Sequence, residues 1–121
     1  MDNLNNNVVT THEMRLQQRP FNMIKSGRKT VEMRLNDEKR RKIKKGDLIA
    51  FKSVDSGEEL CVMVADTIVY SDFEALYRHH DKLSIGYLDD EVANPEDMLI
   101  YYSKNDVSRY GVLAIVVSLL K

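Results

Sequence analysis

The chain has 121 residues, 43% hydrophobic and 31% charged, with a formal net charge of -1, values that fit one globular domain with a well-charged surface and hardly two. Its single cysteine, Cys61, excludes an intramolecular disulfide, a zinc ribbon and CxxC redox chemistry. The longest apolar run, residues 112–120, is far shorter than the roughly 20 residues a membrane helix needs, and the polar, Asn-rich start lacks any targeting pattern, so a soluble, cytoplasmic protein is expected.

Residues 1–11 read as a flexible arm, and residues 12–121 as the folded domain. "RPFNMIKSG" predicts a short helix: Pro20 suits the first turn, Phe21 and Ile24 share a face, and Gly27 suits the exit. Residues 29–35 follow as a strand. "NDEKRRKIKKGD" is too charged to pack and reads as a surface turn with Ile43 as its anchor. Here charge becomes uneven. Residues 1–52 carry 13 Lys and Arg against 6 Asp and Glu, whereas residues 53–121 carry 5 against 13. The basic part lies mostly between Arg28 and Lys52. A zone of this kind attracts phosphate, although a single charge run is more often a solvated face.

"LIAFKS" predicts a second strand, and "DSGE" a turn into a long third strand over residues 59–70. Leu60, Val62 and Val64 lie on one side of it, and Cys61, Met63 and Ala65 on the other, so it is expected to be covered on both faces, with Cys61 buried. Ser71 and Glu74 have capping-box spacing for a helix that ends near His79 and His80. Residues 81–93 are irregular. Asn94 and Pro95 open a helical stretch, Ser103 and Asp106 a second one closed by Gly111, and residues 112–120 form the last strand. The order predicts an α+β domain whose five or six strands curl into a small barrel with peripheral helices, closure removing the edges.

Several motifs fail on inspection. "SGRKT" lacks the upstream glycine of a phosphate-binding loop, and Arg28 separates Gly27 from Lys29. "HEMRL" has Leu16 where a zinc-protease helix needs its second histidine. Adjacent His79 and His80 point about 100° apart on a helix and chelate poorly. Nothing calls for a metal or cofactor.

The stretch "GRKTVEMRL" is the informative one. Alternation places Val31, Met33 and Leu35 on an apolar face and Thr30, Glu32 and Arg34 on the other, so Glu32 can reach Arg34 or Arg28. On an open face such pairing is worth less than about 1 kcal/mol. In a cleft, breaking it costs about 3–5 kcal/mol. Periodicity does not choose between these.

"PFNMIKSGRKTVEMRL" resembles the signature of the ASCH domain family, Gly-x-Lys-x-x-Glu-x-Arg, with Gly27, Lys29, Glu32 and Arg34 at its four positions. The flanks "HEMRLQQRPFNMIKSG", "KKGDLIAF" and "YYSKNDVSRYGVLAIVV" agree, over about residues 12 to 120. The resemblance implies a PUA-like β-barrel whose cleft holds the hallmark residues, and RNA or a nucleotide or nucleoside as ligand. Lys29 falls on the apolar side by strict alternation, so the strand is expected to begin or twist there. As a binding module, the cleft would use Arg28, Lys29 and Arg34 on phosphate, with Thr30 beside them and Glu32 accepting from a base or ribose. Tyr102, Ser103 and Lys104 are polar enough to join it, although helix packing and a cap explain them more simply.

Two enzymatic alternatives also follow from the resemblance. Small ASCH amidohydrolases that deacetylate N4-acetylcytidine carry a lysine and, three residues on, a nucleophilic threonine. Here Lys29 is kept, but Glu32 replaces the threonine, and a second acid is not fixed between Glu91 and Glu96. Ribonuclease activity, with Lys29 and Glu32 as catalytic groups, is the other alternative. A structural pairing of Glu32 and Arg34 that sets barrel register is the non-catalytic one. A monomer is favoured.

Overall fold

The computed structural model describes residues 8–120. Its elements are β1 (Thr11–Leu16), α1 (Gln18–Lys25), β2 (Val31–Leu35), β3 (Leu48–Ser53), β4 (Glu59–Tyr70), α2 (Phe73–His79), α3 (Lys104–Tyr110) and β5 (Val112–Leu119), with 3-10 turns at Arg40–Lys42 and Pro95–Ile100. The strands form one sheet in the order β1-β3-β4-β5-β2. Only the β1–β3 pair is parallel. Laid flat, five strands would hold their edges about 19 Å apart. Instead Arg34 of β2 donates from Nη2 to the backbone oxygen of Arg15 in β1 at 3.0 Å. The sheet is therefore curled until its edges approach. This is the α+β, barrel-like fold expected, but a side chain rather than a strand ladder spans the seam between β1 and β2.

Strand β5 separates two cores. Leu113, Ile115 and Val117 face the barrel interior with Met14, Phe51 and Val62. Helix α1 plugs that interior with Phe21 and Ile24, and burying a side chain of this size contributes about 1.5–3 kcal/mol. Val112 and Ala114 face outward, packing with Phe73 and Leu76 of α2, Ile85, Met98 and Val107 of α3. Strand β2 is split the same way. Val31, Met33 and Leu35 join the outer core. Glu32 stands opposite Ile115 and Arg34 opposite Leu113, so the charged pair shares the interior face of the barrel.

Several expectations need correction. Strand β1 has no counterpart in the sequence reading, although buried Met14 and Leu16 alternate with exposed Glu13 and Arg15. Thr11 opens β1, so residue 11 is not part of an arm. Residues 8–10 have no regular structure, and residues 1–7 of the expected arm lie outside the described residues. The strand expected over 29–35 starts at Val31.

Cys61 is exposed, not buried, and β4 is not covered on both faces, since Val69 in its later part is exposed too. The outer core reaches Ile68 and Tyr70, beyond a register shift between Val64 and Asp66. Ahead of that shift Cys61 and Met63 face solvent. Periodicity reports which residues share a face, not whether a helix lies over it. Among the strands, β2 and β5 are the ones buried on both faces over most of their length.

The cap of α2 is Asp72, whose carboxylate accepts from the Ala75 amide at 2.8 Å, one residue past Ser71. The stretch opened by Asn94 is a 3-10 turn rather than an α-helix. His79 donates from Nδ1 to the Ala75 oxygen at 2.8 Å, and His80 meets the Tyr70 hydroxyl at 2.9 Å, so the two rings serve different partners. Ile43 anchors the basic loop in the interior core, as expected. No helix among the described residues is long and apolar enough to cross a membrane.

Candidate functional site

The segment between α1 and β2 is pinned on both sides. The Lys29 amide donates to the Met23 oxygen at 3.0 Å, while the amides of Thr30 and Val31 both donate to the Ser84 oxygen. Lys29 thus precedes the strand ladder and escapes its alternation. Its side chain turns inward, and the residue is only 8% exposed. Gly86 makes this path possible. Its φ is +110°, and a Cβ there would meet Lys29 Cδ at 3.2 Å. A side chain at residue 86 would be strained by the backbone angle and would press on the lysine.

The lysine ends on Glu32, which is 3% exposed. Lys29 Nζ lies 2.9 Å from Oε1, and Arg34 Nε donates to Oε2 at 2.7 Å. Burial on its own would push the Glu32 carboxyl up. The charges of Lys29 and Arg34, with their hydrogen bonds, outweigh burial and hold it below the usual carboxylate range. Two cations against one carboxylate leave a net charge of about +1 in low-dielectric surroundings, where unscreened charge acts strongly. The Tyr102 phenol lies close enough to Arg34 to help hold its guanidinium charged, and both line the same cleft.

This triad lies at the base of a cleft of about 490 Å³, within the usual range for small-ligand sites. One wall comes from Arg15 and Leu16 of β1 with Gln17, Arg19, Pro20 and Met23 around α1. The other comes from Tyr77 of α2, Ile85, Gly86, Tyr87 and Glu91, and from Asp97, Met98, Ile100, Tyr101 and Tyr102. The Tyr87 hydroxyl donates to Asp97 Oδ2 at 2.7 Å and lies 2.9 Å from the Tyr77 hydroxyl. With its one proton so committed, Tyr87 accepts from Tyr77. Burial raises both phenols above their ordinary value, and the Asp97 carboxylate adds to this. Glu91 accepts from the Leu88 amide at 2.7 Å and pairs with Arg19 Nη2 at 2.6 Å. The amide bond and then Arg19 lower its pKa.

Of the residues singled out in the sequence, Lys29, Glu32, Arg34 and Tyr102 line this cleft. Arg28 and Thr30 are exposed and lie outside its lining, and Lys29 rather than Arg28 is the second partner of Glu32. The Ser103 side chain caps α3, accepting from the Asp106 amide at 3.1 Å. Lys104 lines a different groove, between α2, the Pro95–Ile100 turn and α3, as does Glu96. Of the two acids left open, Glu91 is the one in the cleft. The sequence reading missed Gly86, Arg15, Arg19, Tyr77 and Tyr87. Only Gly86 carried a local signal, as a lone glycine in the irregular "SIGY".

A family model described as the ASCH domain matches residues 14–121. Among solved structures, the crystal structure of the hypothetical protein PH0355 is 33% identical, with a TM-score of 0.78 over 92% of this chain and 100% of that one. The solution structure of protein PF0455 from Pyrococcus furiosus is also 33% identical, with a TM-score of 0.71 over 93% and 99%. The ZmASCH S128A mutant protein from Zymomonas mobilis shares the fold at 14% identity, with a TM-score of 0.65 over 90% of this chain and 68% of that one. No curated protein sequence matches significantly.

Proposed function

The chain belongs to the ASCH domain family, and from that premise we propose that it is a binding module for RNA or a nucleotide, with the ligand's anionic part seated over Lys29 and Arg34. One observation carries this reading. A buried carboxylate is flanked by two cations at the base of a concave site, so the excess charge there faces the cleft. An anionic guest removes that imbalance. Four tyrosines in the walls, Tyr77, Tyr87, Tyr101 and Tyr102, supply faces and edges for a base or ribose.

The cleft chemistry weighs against the hydrolase alternatives. A general base needs a free lone pair and a pKa near the working pH. Both Glu32 oxygens are engaged, and its pKa is held down rather than raised. Glu91 accepts from both the Leu88 amide and Arg19 on Oε1, and these bonds lower its pKa as well.

Calorimetric titration of the four ribonucleoside 5′-monophosphates and of a short single-stranded RNA tests the reading. Wild type is expected to bind, and Lys29→Met to bind roughly 10- to 100-fold more weakly, the loss of one hydrogen bond to a charged group. Wild type that binds none of these ligands would overturn it. Cytidine released from N4-acetylcytidine by wild type but not by Lys29→Met would restore the amidohydrolase reading.

A further inference from the structure

A second groove, of about 570 Å³, opens beside the seam of the barrel. It shares two lining residues with the cleft, Arg15 and Arg34, whose mutual hydrogen bond spans that seam. The groove is therefore adjoined to the cleft through a pair of arginines. Beyond them it is lined by Lys39, Arg40 and Lys52, so five cations face it against two carboxylates, Glu13 and Glu59.

The placement of these cations is built rather than diffuse. Arg15 and Lys52 stand in direct register on neighbouring strands, about 4.8 Å apart in backbone. Like charges side by side on one sheet face repel, although Glu59 of β4 stands in register with Lys52 on its other side. Among the described residues, no carboxylate pairs with Arg15, Lys39 or Lys52 within 4 Å. The loop that carries Lys39 and Arg40 is ordered by Asp37, whose carboxylate accepts from the Arg40 amide at 3.1 Å and from Arg40 Nη1 at 2.7 Å. Arg40 Nε is the one buried side-chain nitrogen or oxygen without a hydrogen-bond partner among the described residues.

We infer that this groove is a phosphate track: it takes the sugar-phosphate backbone next to the nucleotide held in the cleft, so the ligand is single-stranded RNA rather than a free nucleotide. The inference rests on the cleft reading above. In it Arg34 and Arg15 hold the phosphate at the seam, and Lys39, Arg40 and Lys52 hold those that follow. Groove contacts are to phosphates and carry no base preference.

The test uses the full chain, a fluorescent RNA of about ten randomised nucleotides, and the four nucleoside monophosphates. The variants are Lys39→Glu/Lys52→Glu in the groove and Lys29→Met in the cleft, with circular dichroism to show that each is folded. The RNA is expected to bind more tightly than any monophosphate. The groove variant should lower RNA affinity at least to the monophosphate level while leaving monophosphate binding in place. Its salt slope should shrink by about 1.4, two single-strand phosphate contacts at about 0.7 each. If monophosphates bind but the RNA is no tighter, or the groove variant is indifferent, the track is wrong and the cleft reading stands. If the groove variant matters but Lys29→Met does not, the groove works alone and its continuity with the cleft is wrong. If nothing binds, both readings fail.

Discussion

Two carboxylates are buried among the described residues, Glu32 and Asp47, and they are held in opposite ways. Asp47, at the start of β3, accepts from the Lys44 amide at 3.0 Å and the Thr10 amide at 3.4 Å, and its Oδ2 lies 2.8 Å from His12 Nε2. These bonds fasten the entry of β1 to the turn before β3. Burial would raise the Asp47 carboxyl, but the His12 and backbone hydrogen bonds together hold it down. The Glu32 carboxyl is held down too, but by different partners, two long cationic side chains. Backbone amides have nothing left to offer a ligand once they are bonded. Lys29 and Arg34 keep further donors, and between them they exceed the charge of Glu32. The first arrangement fixes a turn; the second leaves a charged floor.

Glu32→Gln sharpens that contrast most. It removes the anion and leaves two cations together in a buried site, for an expected loss of about 3–5 kcal/mol in urea unfolding. Lys29→Met comes next, with nucleotide binding weakened as above while the Arg34 bond to Glu32 persists. Asp47→Asn keeps the shape but sets an amide N–H against N–H donors, at about 1–2 kcal/mol. Equal losses for Glu32→Gln and Asp47→Asn would erase the distinction. Gly86→Ala is expected to cost about 1–2 kcal/mol through its strained φ, and to weaken nucleotide binding by displacing Lys29. Unchanged binding would show that the lysine does not depend on that glycine.

The smallest signal is in pH. Both carboxyls have folded pKa values below their unfolded ones, about 4.3 for Glu and 3.9 for Asp. Each therefore contributes stability that is fully present above those values and is lost as pH falls through the lower folded value. Wild type should lose stability on acidification below about pH 4, and Glu32→Gln and Asp47→Asn should each flatten that limb. Variants with the same acid limb as wild type would show that neither carboxyl is perturbed.

Much of this was legible in the sequence where a signal is local. The alternation of Val31, Met33 and Leu35 against Glu32 and Arg34 placed both faces of β2 correctly, and Phe21, Ile24 and Ile43 are buried as their setting suggested. The four-residue hallmark pointed to the residues that form the triad, apart from its glycine. What stayed hidden depends on distant neighbours. Arg28 was as plausible a partner for Glu32 as Lys29, because only the Met23 and Ser84 carbonyls set where the strand begins. Cys61 was misjudged because no periodicity announces which half of a strand the helices cover. The tyrosine wall comes from segments more than forty residues beyond the triad, and residues 81–93 have no repeat from which their packing could be read.

The decisive measurement is a side-by-side titration of wild type, Lys29→Met and Asp47→Asn with the nucleoside monophosphates and the randomised RNA, at one salt concentration. Asp47→Asn, although less stable, should bind like wild type, whereas Lys29→Met should lose most of its affinity. Lys29→Met binding as tightly as wild type would contradict the assignment of the Glu32 triad as a ligand floor and leave it, like Asp47, a device of the fold.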